Sequence, residues 1–228
     1  MAKSLLEANA FLSLYHDTCN PSINPTFNNI NRNLPIDIAI DNPSQQAHGN
    51  IDMIKLLLKY YSTDKEMALK NLGVAFHMVT LNKNIEVMKL LVDACGSGIA
   101  NSSDRSSSLS PLHKCCYNSD DAAVLKCLLL ELHADVDPVD MRGLTPLALA
   151  SLRGRPDCVK ELLKAGAAVN HLDRKRETPL TIAIKEYEEA AVSCEVGGDY
   201  EYETIKEDMR KVVKLLKAAG GLTAAELG

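Results

Sequence analysis

Tryptophan is absent from this 228-residue chain, and aromatic residues of all kinds make up only 4 % of it. Its core must therefore come from Leu, Ala, Val and Ile. That palette suits closely packed helices better than a β-sandwich, whose strands draw on aromatic and β-branched side chains. A basic excess is also missing: 25 Lys and Arg stand against 30 Asp and Glu, a net charge of −5. Affinity for nucleic acid comes largely from neutralising phosphates, so an acidic chain without a long basic stripe is a poor candidate for that partner. No apolar run approaches the roughly 18 residues of a membrane span, so no membrane insertion is expected. The stretch Met1–Leu12 lacks the basic segment and long apolar run of a secretory signal. The seven cysteines (19, 95, 115, 116, 127, 158 and 194) are odd in number and irregular in spacing. They read as reduced thiols, several of them small core residues, in a cytoplasmic or nuclear protein.

Signatures of chemistry are missing too. His113, Cys115, Cys116, Cys127 and His133 lie near one another but without the paired Cys-x-x-Cys spacing of a zinc site, so no metal is expected. His16 and Cys19 could be imagined as a nucleophile pair, but no supporting carboxylate or oxyanion element accompanies them. There is no phosphate-cradling glycine loop and no Gly-x-Ser-x-Gly elbow. Neither catalysis nor a cofactor is expected.

What the chain does have is self-similarity. Asp140, Thr145, Pro146 and Ala150 recur as Asp173, Thr178, Pro179 and Ala183, each 33 residues on. Upstream, Ser110-Pro111-Leu112-His113 fills the Thr-Pro-Leu slot, and His133-Ala134-Asp135-Val136-Asp137 matches Gly166-Ala167-Ala168-Val169-Asn170. Weaker copies begin at Ala75-Phe76-His77 and Pro35-Ile36-Asp37. The physics of one unit follows directly. Thr145 and Thr178 stand where a side-chain oxygen caps free N–H groups. Pro146 and Pro179 follow at the first helical position, where a missing N–H costs nothing. Gly154 ends a short first helix; Val159, Leu162 and Leu163 stripe a second, which Gly166 ends. Polar turn residues then form a finger. Helices this short are marginal alone, so each pair must be covered by its neighbours.

Period and pattern resemble ankyrin repeats, whose mark is a Thr-Pro-Leu-His-x-Ala turn within about 33 residues. The resemblance spans residues 30 to 222 and is sharpest over 140–172. The His slot holds Ala148, Thr181 and Asp37 in three copies. It implies an all-α ankyrin-repeat solenoid of about five helix-pair repeats, near 34–63, 70–100, 104–139, 140–172 and 173–222. It also implies a structural hydrogen bond for His113 and His77. Residues 1–33 read as an N-terminal capping helix (Ser4–His16, with Ser4 and Glu7 at capping-box spacing) and an Asn- and Pro-rich linker. Residues 223–228 read as a tail. In the last repeat the second helix arrives about 20 residues late. The insertion near 186–208 carries nine acidic residues against one Lys. Either the two helices are extended outward or an acidic loop projects between them.

Function is then read as non-catalytic binding of another protein, as scaffold or adaptor, through the concave face and fingers that the resemblance implies. The cations Arg174, Lys175 and Arg176 fall at one finger tip and Met141, Arg142 and Leu144 at the previous one. With Tyr117 and Arg153 these are the expected partner contacts, Met141 and Leu144 supplying exposed apolar area beside charges suited to an acidic segment. The alternatives are a targeting arm of a larger enzyme or secreted effector, and an inhibitor acting through the acidic insertion. The Ser-rich loop 101–110 reads as a flexible connection or a phosphorylation platform.

Overall fold

The computed structural model describes residues 51, 54–55, 58, 65–104, 107–118, 122–197 and 200–227. The expected capping helix and linker lie outside the described residues, as does most of the first repeat. The chain divides into two compact units, one ending at Ile99 and the other beginning at Ala100. Among the described residues there is helix and no strand.

In the first unit, α1 (Lys65–Leu81) packs on α2 (Ile85–Cys95). Leu72, Ala75, Phe76 and Val79 recur at helical spacing along α1 and are fully buried. They meet a second stripe, Val87, Met88 and Leu91, from α2. Asn84 starts α2 by accepting the Val87 N–H at 3.1 Å. His77 lies in the α1 core at 4 % exposure.

The second unit is three helix pairs. They are α3 (Pro111–Asn118) with α4 (Ala122–Lys126), α5 (Pro146–Leu152) with α6 (Pro156–Lys164), and α7 (Pro179–Gly197) with α8 (Tyr200–Ala218). The first helices stack in the order α3, α5, α7, and the second helices in the order α4, α6, α8. α4 runs on into one turn of π-helix, Cys127–Glu131.

The same device opens every pair. Thr145 Oγ1 accepts the Ala148 N–H at 3.2 Å, Thr178 Oγ1 accepts the Thr181 N–H at 3.1 Å, and Ser110 Oγ accepts the His113 N–H at 3.3 Å. A proline follows each cap at the first helical position. The small residues then do what stacking needs: Ala148 and Ala150 are buried between helices, and Leu144, Ala148, Leu149 and Ile182 form one apolar cluster across two repeats. Gly154 closes α5 in the left-handed region, φ +61°, where a Cβ would also stand 2.9 Å from the Met209 methyl.

The last pair answers the question left open by the insertion. Both α7 and α8 run for 19 residues, against 7 in α5 and 9 in α6. The insertion is extra helix. Between Pro179 and Gly197 there is no Pro or Gly to stop the helix, and Glu and Ala propagate it.

Candidate functional site

The fingers are built on aspartates. Asp140 Oδ1 accepts the N–H groups of Arg142 (2.8 Å) and Leu144 (2.9 Å). Its own N–H donates to the Leu144 carbonyl at 3.0 Å. Asp173 repeats this with the N–H groups of Lys175 and Glu177, both at 2.8 Å. Asp104 does so with the Ser107 N–H at 2.7 Å, and its two oxygens also accept the Ser107 hydroxyl. Burial pushes the Asp104 carboxyl up, but the Ser107 donors and Lys114 together outweigh this and hold it at about 2.

Adjacent tips are tied by backbone. The Met141 N–H donates to the Ser107 carbonyl at 3.2 Å, and the Arg174 N–H to the Arg142 carbonyl at 3.0 Å. A second tie recurs below them. Asn101 Oδ1 accepts the Asp135 N–H (2.8 Å), the Asp137 carboxylate accepts the Ala168 N–H (3.0 Å), and Asn170 Oδ1 accepts the Leu222 N–H (2.8 Å). Sequence reasoning missed these latches. Their signal is an Asn or Asp three residues before each tip aspartate: Asn101 and Asp104, Asp137 and Asp140, Asn170 and Asp173.

His113 locks the first two fingers' repeats together from inside. Fully buried, it receives the Ser110 N–H at Nδ1 (3.2 Å) and donates from Nε2 to the Leu144 carbonyl (2.9 Å). Burial pushes this imidazole below its usual range, and the Leu144 carbonyl and the Asp140 charge only partly oppose that. The ring is neutral, and its role here is structural.

On this rigid base the predicted contact residues separate. Met141 is 53 % exposed at its tip. Arg142 is also exposed, and its Nε is held by Asp140 Oδ2 at 3.0 Å. Arg174, Lys175 and Arg176 are all exposed, and among the described residues no carboxylate pairs with them. Leu144 is a correction: at 4 % exposure it belongs to the core. It lies on the return leg of its finger, where the turn aims it at Ala148, Leu149 and Ile182. The other exposed large apolar residues of these two fingers are Val139 and Leu172.

Away from the tips, the guanidinium of Arg153, the residue just after α5, lies 3.7 Å from the Tyr117 ring centroid of α3. Such a stack is worth about 0.5–1 kcal/mol at an exposed site. On the next first helix, burial raises the Glu186 carboxyl and Glu189 adds to this, while Arg153 counters both. Tyr117, Arg153 and Glu186 thus follow one another on or just after successive first helices.

The left-handed corner of each tip is occupied differently. It is Ser108 (φ +56°) in the first, Gly143 (φ +78°) in the second and Arg176 (φ +61°) in the third. A side chain in that region costs roughly 1 kcal/mol relative to glycine.

With caps, stacked pairs and fingers in place, the comparisons agree with the geometry. The family model for ankyrin repeats, in three copies, matches residues 112–193. The array is one of ankyrin repeats. The chain is 34 % identical to the nuclear factor NF-kappa-B p105 subunit of Gallus gallus over 123 residues, which is 53 % of this chain and 12 % of the relative. It is 41 % identical to inversin of Gallus gallus over 81 residues, 35 % of this chain and 7 % of the relative. A third relative is the serine/threonine-protein kinase VIK of Arabidopsis thaliana, 36 % identical over 111 residues, 49 % of this chain and 20 % of the relative. The chain thus spans a fifth or less of the length of these relatives. Ankyrin repeats generally mediate protein–protein interaction. No helix among the described residues is long and apolar enough to cross a membrane.

Proposed function

We propose that this ankyrin array is a non-catalytic scaffold or adaptor, acting in the cytoplasm or nucleus. It binds a partner protein through its finger loops and the face of its first helices. The contacts are Met141, Arg142, Arg174, Lys175 and Arg176 on the fingers, with Tyr117 on α3 and Arg153 just after α5. The partner presents an acidic segment. The observation that carries this reading is the state of the finger tips. Their carboxylates accept backbone N–H groups, Asp140 holding Arg142 as well, while Arg174, Lys175, Arg176 and Met141 are exposed and, among the described residues, no carboxylate pairs with the three cations. Anchored apolar area beside unpaired charge is what interfaces use.

A second reading has its own support. One relative is named a serine/threonine-protein kinase and shares the array over 20 % of its length. An arm that targets a larger enzyme would bind by the same surface.

The test is a pull-down from cytosolic lysate with the wild-type chain and with R174E/K175E/R176E, with folding checked by circular dichroism. A protein captured by the first and lost from the second supports the finger reading. Equal capture by both, with the fold intact, removes the finger tips from the interface.

A further inference from the structure

We infer that Arg176 is the specificity-determining residue of the finger ridge, and that the ridge takes an extended acidic segment interleaved with apolar side chains. This rests on the protein-binding reading above and narrows its partner.

Arg176 stands where the turn favours glycine. The left-handed corner of the tip is a glycine position, and the preceding finger fills it with Gly143. The third finger keeps the same turn, with the Arg176 N–H donating to the Asp173 carbonyl at 3.0 Å and the Gly143 N–H donating likewise to Asp140 at 2.9 Å. It nevertheless carries arginine there, at φ +61°. Strained residues persist where something other than stability retains them. This side chain is exposed and, among the described residues, makes no ion pair.

Its surroundings specify what would. Arg174 and Lys175 share the tip, and Arg142 lies across the Arg174–Arg142 backbone bond. Among the described residues, Arg142 is paired with Asp140 Oδ2, and no carboxylate pairs with Arg174, Lys175 or Arg176. Asp140 is buried, and the Oδ1 atoms of Asp140 and Asp173 are each taken by two backbone N–H groups. Glu177 is engaged by Lys185. On the same two fingers Val139, Met141 and Leu172 are 49, 53 and 37 % exposed. A planar guanidinium prefers a carboxylate or phosphate that it can grip with two N–H groups. The apolar residues favour a peptide over a sugar-phosphate backbone, because only the peptide has aliphatic side chains to cover them.

The probe is a fluorescein-labelled peptide, Glu-Glu-Leu-Glu-Leu-Glu-Glu, titrated by anisotropy against the whole chain, with thermal melts alongside. R176G should melt about 2 °C higher, because the strain is relieved, and bind the peptide about tenfold more weakly. R176K should keep the wild-type melting temperature and recover part of the affinity. R176G with unchanged affinity overturns the inference. If R174E/K175E/R176E still loses its lysate partner in that case, the binding-module reading stands. A wild-type chain that ignores the peptide up to millimolar concentration also overturns it. So does an oligothymidylate that binds as tightly as the peptide, since the ridge would then be reading charge alone.

Discussion

Replacing His113 with alanine should be among the most damaging single substitutions in the second unit. Three contacts vanish: Nδ1 with the Ser110 N–H, Nδ1 with the Ser110 hydroxyl, and Nε2 with the Leu144 carbonyl at 2.9 Å. Ser110 Oγ keeps the residue 113 N–H as a donor, so its loss is partial. The Leu144 carbonyl sits beside the apolar Leu144–Ile182 cluster. It does still accept the Asp140 N–H, which limits the penalty. Losing two net hydrogen bonds at about 1 kcal/mol each, with about 1 kcal/mol for partial orphaning of the carbonyl, gives roughly 3 kcal/mol. For a chain of this size that is a fall in Tm of about 6–12 °C.

A pH arm isolates the cause. Burial holds the folded imidazole below 6.5, so the unfolded chain takes up a proton at His113 before the folded one does. The contribution of His113 is thus fully present above pH 6.5 and is lost as pH falls toward its folded value. Asp104 titrates well below this window, at about 2. Urea unfolding followed by circular dichroism at pH 7.5 and pH 5 should show the gap between wild type and H113A shrinking at the lower pH. A gap under about 1 kcal/mol at pH 7.5, or one that does not change with pH, would refute the account of a buried neutral imidazole joining two repeats.

Two further substitutions probe the stack. D137A removes the acceptor for the Ala168 N–H and should cost about 1–2 kcal/mol in urea unfolding; D137N should recover most of it, because Asn101 and Asn170 make the same latch in their own repeats. G154A adds a Cβ at φ +61° against the Met209 methyl and should cost at least about 1–2 kcal/mol; G154A/M209A should regain only the steric part, which a double-mutant cycle reads directly.

Legibility in the sequence followed how local each cause is. The Ser or Thr cap, the proline after it and the glycine at Gly154 act within a few residues, so the helix starts and stops of 140–172 can be read without a structure. Leu144 could not be read that way. The slot before the cap holds Leu109, Leu144, Glu177 and Leu222, and their fates differ. Leu144 is buried by Ile182, Glu177 pairs with Lys185, and Leu222 is 38 % exposed. Leu144 is decided by a neighbour in another repeat, and Glu177 by a lysine on the first helix of its own. The left-handed corners were hidden for a related reason: His133 (φ +54°) and Arg176 (φ +61°) stand where other repeats have Gly166 and Gly143, so the turn is imposed by its hydrogen bonds and the residue type does not announce it. The 186–208 insertion was ambiguous because acidic composition fits a loop or a solvated helix equally. The absence of a breaker before Gly197 is what favours helix.

Net charge and local charge point in opposite directions here, and the difference bears on the partner. The chain as a whole carries −5, which argues against a polyanionic ligand wherever the entire surface is sensed. Yet at physiological ionic strength a charge is felt over about 8 Å, so the ridge is governed by what lies beside it. There Asp140 and Asp173 are spent on backbone N–H groups and on Arg142, while among the described residues Arg174, Lys175 and Arg176 have no carboxylate partner. The acidic residues concentrate in the long outer turns of α7 and α8 instead. A long polyanion runs past the ridge onto a chain of net negative charge; a short acidic segment need meet only the ridge. The charge layout therefore selects for length as well as sign. Extending the acidic probe peptide should stop improving its affinity once the ridge is covered, whereas for a uniformly basic surface each added glutamate would continue to strengthen binding.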